Sequence, residues 1–363
     1  KVQQLCKDPG LIQTLGAAGR ILVKDYTVEA LAGNLDSIYA EAIGKKPLKT
    51  RAPKAYEALS RIFCAARSQS HVGLRSIVAP VTILVTVYNA PDELSLCIQS
   101  VIEHTDFTFT KLLVLDDCSP DPRVREVLAE YAGHPHIRVV RNETNLGYTK
   151  SVNKAIALAG GDDVVLLNSD TIVTANWLLG LRLSAYAVER AGTVTAMSDN
   201  AGVFSFPVPR KENPKPCEIS HDGYARSMVD GCLDVPLIDL PTGNGFCMYV
   251  RRQLLDEIGF FDEEAFPLGY GEENDFCMRG LKRGYLNLLS PWVFVFHKRG
   301  ASFKEEKEKL LIGAMILLKK KHPEYEGLIK KAFASKAFLR LVHATEKARD
   351  DMGGLKCERP RVA

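Results

Sequence analysis

The chain has 363 residues, 46% of them hydrophobic, enough for one large domain with appendages or for two domains. A formal net charge of +3 is too small to argue for nucleic acid as the partner, and the nine cysteines form no C-x-x-C pair, so they read as small buried hydrophobes of a reducing compartment rather than a disulfide or zinc framework. No apolar run reaches the roughly 18 residues of a membrane span and no signal peptide is present, so a cytoplasmic protein is the expectation.

Residues 1–47 read as helical. Asp8-Pro9 supplies an N-cap and a first-turn proline, and Leu11, Leu15, Ala18 and Leu22 follow at helical spacing. A second helix starts after Thr27, with Leu31, Leu35, Ile38, Tyr39 and Ala42 on one face. Residues 48–79 are basic, with a short helical stretch from Tyr56 to Ala66, and read as a linker. Residues 80–303 carry strand and helix signals in alternation, and residues 304–363, rich in Lys, Glu and Leu, read as a helical extension.

Within the central zone, the β-branched run from Val81 to Val87 predicts a strand buried on both faces. Pro91 opens a helix whose apolar side is Leu94, Ile98 and Val101. Lys111 to Leu115 is a second strand, ending at Asp116-Asp117, and Asp121-Pro122 starts a helix facing inward through Val124, Val127, Leu128 and Tyr131. Ile137 to Val140 is a third strand, followed by a helix striped by Val152, Ile156 and Ala159. Val164 to Leu167 is a fourth, ending at Asn168-Ser169-Asp170. Such alternation predicts an α/β fold with a mostly parallel sheet covered by helices, whose ligands bind beyond the carboxyl ends of the strands. Tyr88-Asn89, Asp116-Asp117 and Asn168 to Asp170 then share one rim. Carboxylates there suit both a nucleotide's polar groups and a hard divalent cation, although an Asp-Asp pair at a strand end is also an ordinary turn or helix cap.

Taken in order, Thr86-Val-Tyr-Asn89, Leu115-Asp-Asp-Cys-Ser119, Asn145-Leu-Gly147 and Leu167-Asn-Ser-Asp170 resemble family 2 of the inverting glycosyltransferases, of the GT-A fold. The likeness continues through Thr242-Gly-Asn-Gly245, Gly259-Phe-Phe-Asp262, the run from Gly269 to Phe276 and His297-Lys-Arg-Gly300. The resemblance implies a nucleotide-sugar donor, a glycan or lipid-linked glycan acceptor and a divalent cation, Mn2+ or Mg2+. Asp116 and Asp117 would hold the donor's base and ribose, with Thr86, Tyr88 and Asn89 lining the same pocket. Asn168-Ser169-Asp170 takes the family's D-x-D position, with Asp170 as metal ligand and Asn at the first position leaving one charge fewer. His297 falls where some members supply a second ligand, and equally suits a histidine that caps the last strand.

Glu272-Glu273-Asn274-Asp275 matches the acidic motif near the acceptor. Inverting transfer needs a general base on the acceptor side, away from the metal. The resemblance makes Glu273 that base, with Glu272 and Asp275 as orienting neighbours or as acids favoured by a helix N-terminus. Gly245 would let backbone approach the donor sugar or acceptor, or serve a plain tight turn. Trp177 and Trp292 read as packing, and Lys298 and Arg299 as solvated.

Asp8-Pro-Gly-Leu, Leu15-Gly-Ala-Ala-Gly-Arg20 and Tyr26-Thr-Val-Glu29 resemble the C-terminal end of a family 4 glycosyltransferase of the GT-B fold. Together with a first residue, Lys1, that is not Met, this implies an upstream glycosyltransferase module in one longer chain; an ordinary helical hairpin is the other reading. Competing functions are a nucleotidyltransferase, which would want a glycine-rich loop where Val87 to Pro91 stands, and a non-catalytic carbohydrate-binding or scaffold module, which would have lost its carboxylates. The tail offers a choice as well. Leu310 to Leu318 followed by Lys319-Lys-Lys321 suits peripheral contact with anionic lipid, or a helix packed on the catalytic core, which is the reading favoured.

Overall fold

A computed structural model describes residues 79–267, 269–298 and 304–353. The helices and linker expected over residues 1–78, with their family 4 resemblance, lie outside the described residues, as do Arg299 and Gly300.

The first strand, β1 (Val81–Val87), lies between β2 (Thr110–Asp116) and β4 (Asp163–Asn168), parallel to both, and β3 (Ile137–Arg141) adds in parallel beyond β2. Neighbouring residues of β1 point to opposite faces, and both faces are covered. Ile83 and Val85 join a core with α1 (Pro91–His104), while Leu84 joins another with Val152 and Ile156 of α3 (Tyr148–Ala159). This is why the run has no polar alternation. Between β2 and β3 runs α2 (Pro122–Ala129), whose N-cap Asp121 accepts the Arg123 N–H.

A short strand β5 (Thr171–Ile172) and α4 (Trp177–Ala187) lead to β6 (Ala191–Met197). Then come α5 (His221–Gly231), β7 (Ile238–Leu240), β8 (Cys247–Val250), α6 (Arg252–Ile258), α7 (Glu272–Lys282), β9 (Leu286–Phe294) and β10 (Phe296–His297). The sheet order is β3-β2-β1-β4-β8-β6-β9-β7, with β8 and β7 antiparallel to their neighbours. The sheet is thus mostly parallel, and the expected α/β GT-A-like architecture is present. Antiparallel β10 and β5 form a two-stranded ribbon that sets His297 opposite Thr171. Trp177 and Trp292 are buried, as expected. Cys97, Cys232, Cys247 and Cys277 are buried free thiols.

The tail forms α8 (Lys304–Lys321), α9 (Tyr325–Phe333) and α10 (Lys336–Asp351). Phe338, Leu341 and Ala348 of α10 enter the same core as β1 and β9, and Leu318 of α8 is buried with Met278 and Tyr325. The tail is therefore packed on the sheet domain. The other face of α8 stays open, with Leu311, Ile312, Met315 and Ile316 exposed. Among the described residues no helix is long and apolar enough to cross a membrane.

Candidate active site

Parallel register aligns the strand ends: Thr86 of β1 stands opposite Asn168 of β4, and Val87 opposite Asp116 of β2. Asp116 is fully buried; it accepts the Ser119 N–H at 2.8 Å and pairs with the Arg141 guanidinium. Arg141 also donates to the Ser119 carbonyl at 3.0 Å, so the loop after β2 is closed on itself. Asp117 points elsewhere. One of its oxygens accepts from Asn142 Nδ2 and the Leu146 N–H, each at 2.8 Å, and the other accepts the Gly147 N–H at 2.9 Å. Its bonds hold the Asn145-Leu-Gly147 loop at the head of α3. Asn89 has φ 63° and its N–H donates to Ser119 Oγ at 2.9 Å, tying the β1 loop to the β2 loop. Tyr88, beside it, is 51% exposed and offers an aromatic face at the rim.

Beyond β4, Asp170 and His297 come together. Asp170 Oδ1 lies 3.2 Å from His297 Nε2, and Asn168 Nδ2 lies 3.3 Å from the same nitrogen. Nδ1 of His297 is 3.0 Å from the Asn200 carbonyl oxygen, an acceptor, so Nδ1 carries a proton and Nε2 faces Asp170. The imidazole is further fixed by its own backbone N–H, bonded to Asp199 Oδ1 at 2.9 Å, and by the Phe246 ring, stacked at 5.3 Å. A bare Nε2 lone pair and a carboxylate oxygen at that separation repel unless a proton or a cation lies between them. Among the described residues no three His, Cys, Asp or Glu side chains gather into a cage. A carboxylate and an imidazole with open positions nevertheless fit a cation that takes its remaining ligands from water and a diphosphate. Ser169, between Asn168 and Asp170 in the chain, is half-buried. Lys298 is 70% exposed, in line with the solvated reading, and donates to Glu93 at 2.9 Å.

The acidic motif starts α7. Its N-cap is Gly271, with φ 122° and no side-chain cap, and a Cβ there would sit 2.7 Å from the Phe266 ring. Glu273 accepts the Gly245 N–H at 2.7 Å. Glu272 is 2% exposed, and its Oε2 is buried with no partner among the described residues. Burial, and then the charge of Glu273, holds the Glu272 carboxyl well above the usual carboxylate range. Burial also raises Glu273, opposed by the Gly245 N–H. The amide makes Glu273 the better seat for the charge, and the orphan oxygen makes Glu272 the better seat for the proton. Asp275 is turned away from both. Fully buried, it is bonded to Arg279, His322 and Lys321.

Two residues join these halves. The Gly245 N–H holds Glu273, while the next residue, Phe246, accepts the Asn168 N–H at 2.9 Å and stacks on His297. A Cβ on Gly245 would meet Glu273 Oε1 at 2.5 Å and the Tyr148 hydroxyl at 3.1 Å. The glycine is therefore required by close approach. Tyr148 is a site residue that sequence reasoning missed, although it directly follows the Asn145-Leu-Gly147 motif. Burial, followed by the charges of Glu273, Glu272 and Asp170, holds its phenol well above its ordinary value. Tyr148 thus lies in the field of both halves.

Residues 82–259 match the model of the family described as Glycosyl transferase family 2. An N-acetylglucosaminyltransferase of Mesorhizobium japonicum is 26% identical over 215 residues, covering 56% of this chain and 48% of that protein. UDP-Glc:alpha-D-GlcNAc-diphosphoundecaprenol beta-1,3-glucosyltransferase WfgD of Escherichia coli is 30% identical over 160 residues, 43% of this chain and 59% of that one. The chain spans about half the length of such curated relatives, and 25% of protein y4gI of Sinorhizobium fredii. Two solved structures share the fold. GalNAc-T7 with UDP, GalNAc and Mn2+ superposes with a TM-score of 0.52 at 18% identity, covering 76% of this chain and 54% of its own. Mannosyltransferase PcManGT from Pyrobaculum calidifontis, in complex with GDP-Man and Mn2+, gives 0.51 at 16% identity, covering 83% and 85%. Residues 82–259 therefore form a glycosyl transferase family 2 domain on a GT-A-like sheet.

Proposed function

We propose that the domain transfers a sugar from a nucleoside diphosphate donor, of UDP or dTDP type, to a hydroxyl of a glycan or lipid-linked glycan, with inversion and with the help of Mn2+ or Mg2+. The observation that carries this reading is the Gly245-Phe246 link. It holds a carboxylate base and a carboxylate–imidazole pair at a fixed spacing on one rim. Single displacement needs that arrangement, because the acceptor oxygen attacks one face of the anomeric carbon while the diphosphate leaves from the other.

In this reading the donor's base and ribose lie over Thr86, Tyr88, Asn89, Asp116 and Asp117. Tyr88 supplies the stacking face, and the two aspartates act largely through the loops they hold. Asp170 and His297 would hold the cation, with Asn168 and Ser169 beside them. The cation, when bound, would offset charge growing on the departing diphosphate. Glu273 takes the acceptor's proton, and its raised proton affinity makes it the stronger base near neutral pH. Glu272 keeps its own proton, so the pair carries a single charge, and Asp275 fixes the helix that bears them. A non-catalytic module would have no use for an acid buried without a partner, and its presence favours catalysis.

The WfgD relative is named for a diphosphoundecaprenol acceptor. That name, together with the exposed apolar face of α8, supports a lipid-linked acceptor and peripheral contact with the inner face of a membrane. The test is a thermal-shift screen of UDP-, dTDP-, GDP- and CMP-sugars with and without Mn2+ or Mg2+. The expected result is metal-dependent stabilisation by a UDP- or dTDP-sugar. No response to any donor would refute the catalytic reading. Glu273→Gln should bind donor normally and lose transfer; unchanged turnover would remove Glu273 as the base.

A further inference from the structure

We propose that residues 321–325, where α8 passes into α9, act as a positioning clamp for the base, holding Asn274 and Asp275 and so fixing the first turn of α7. This rests on the reading of Glu273 as the base.

The need for a clamp is visible in α7 itself. Its N-cap glycine offers no side chain to the first-turn N–H groups. Among the described residues the Glu273 side chain is held by a single bond, to the Gly245 N–H. The precision of this turn must come from outside the helix, and the tail provides it at the next two positions. Asn274 Nδ2 donates to Tyr325 Oη at 2.8 Å and to Thr242 Oγ1 at 2.6 Å, so Tyr325 fastens Asn274 against the Thr242-Gly-Asn-Gly245 loop. Asp275 accepts from Lys321 Nζ and from His322 Nε2, each at 2.9 Å, in addition to Arg279 of its own helix at 2.8 Å.

The histidine is set for this task. Lys282 Nζ lies 2.9 Å from His322 Nδ1. An ammonium can only donate, so Nδ1 accepts and the ring proton sits on Nε2, facing Asp275. Lys282 also pairs with Glu324 at 3.3 Å. Both ends of α7 are thereby fastened to one short segment. His322 and Tyr325 are buried, and Lys321 reaches Asp262 as well, so the segment is also tied to the loop before α7. The bonds of these tail groups run to α7 and to Asp262 in the loop before it. They act through Asn274 and Asp275 on the carboxylate that precedes them.

The test compares the full chain with Tyr325→Phe, Lys321→Met, Lys321→Arg and the control Glu273→Gln. Turnover is read as nucleoside diphosphate released to water from the UDP- or dTDP-sugar that gives the largest thermal shift with Mn2+. A base displaced by about 1 Å costs on the order of 10²-fold, so Tyr325→Phe and Lys321→Met should each lower kcat by roughly tenfold or more. Donor KM and Tm of Tyr325→Phe should stay near those of the parent, and Lys321→Arg should recover most of the rate lost by Lys321→Met. Unchanged kcat in both variants, with Glu273→Gln inactive, would overturn the clamp and leave the base standing. A joint fall of kcat, donor affinity and Tm in both variants would also overturn it, since it would show general support rather than positioning. Full activity of Glu273→Gln would remove the base and the clamp with it.

Discussion

Replacing Glu272 by Gln should stabilise the protein, and by more as pH rises. Glu272 is 2% exposed, its Oε2 meets no donor among the described residues, and Glu273 is its neighbour in the chain. A polar atom buried without a partner costs about 1–3 kcal/mol, and more when charged. Burial and the Glu273 charge raise the folded affinity of Glu272 for its proton. A carboxyl of this kind contributes stability that is complete below its unfolded pKa, about 4.3, and is lost as pH rises through the higher folded value. Glutamine keeps the shape and removes the titration. The gain of Glu272→Gln should therefore be small at pH 5 and reach about 1–2 kcal/mol at pH 8.5, the lower part of the orphan-atom range, because the amide still needs partners. In Tm this is about 2–4 °C per kcal/mol for a domain of roughly this size. Urea titrations of both proteins at several pH values measure it directly. A loss of stability independent of pH would refute the reasoning, since Glu272 would then be ionised and satisfied. A second readout concerns the base. Glu272 is already neutral when Glu273 carries the charge, so the acidic limb of the rate profile should stay near its parent position.

Three other outcomes follow from the same geometry. Gly245→Ala places a methyl group 2.5 Å from Glu273 Oε1, so turnover should fall about 10²-fold while Tm moves little; steady-state kinetics beside a melting curve would check it. His297→Gln keeps a polar side chain of similar reach and gives up the imidazole facing Asp170. Stabilisation by UDP alone should persist, while the extra stabilisation from Mn2+ shrinks several-fold, about 1 kcal/mol in linkage terms, as read by thermal shift at fixed nucleotide. Asp275 behaves oppositely to Glu272. Burial raises its carboxyl, but bonds from His322, Arg279 and Lys321 outweigh burial and hold it below the usual range. Its stabilisation is present above an unfolded pKa of about 3.9 and is lost as pH falls through the folded value, so Asp275→Asn should cost about 3 kcal/mol at pH 7 and progressively less below pH 4 in denaturant titrations.

The parts of the fold legible in the sequence are those where a local pattern has one physical meaning. The run from Val81 to Val87 has no polar alternation because Ile83 and Leu84 enter different cores, and its strand bounds match the expected ones. Asp121-Pro122 announced a capped helix, and the Asp121 carboxylate does accept the Arg123 N–H. β6 was harder to read. Ala191-Gly-Thr-Val-Thr-Ala-Met197 is fully buried yet mixes small and hydroxyl side chains, because Gly192 must clear Leu254 and Tyr285 and Thr195 Oγ1 must receive the Asn244 N–H. Tyr148 was missed because its meaning comes from residues about a hundred positions later. The same holds for Arg141 beneath Asp116 and for Lys321, His322 and Tyr325 beneath the acidic motif. Composition marked the tail as helical, but nothing in a Lys- and Leu-rich stretch says which lysine turns inward.

The position of Asn168 gives the proposed mechanism a further consequence. Where an aspartate at this place would add a second negative charge, Asn168 instead turns Nδ2 toward His297 Nε2 at 3.3 Å. The rim then offers a cation one carboxylate and one neutral ring, a combination too weak to hold Mg2+ or Mn2+ firmly without substrate oxygens. A diphosphate brings the missing charge. Nucleotide and cation should therefore bind together, each raising the affinity for the other by the same factor, as linkage requires. The same arithmetic separates the two ends of the site. In the proposed mechanism the charge at Asp170 is shared with the donor, whereas burial raises the proton affinity of both Glu272 and Glu273. Gly245 and Phe246 keep these two environments apart while fixing their spacing, so burial can raise the proton affinity of the proposed base, Glu273, while the charge at Asp170 is left to be matched by the proposed donor.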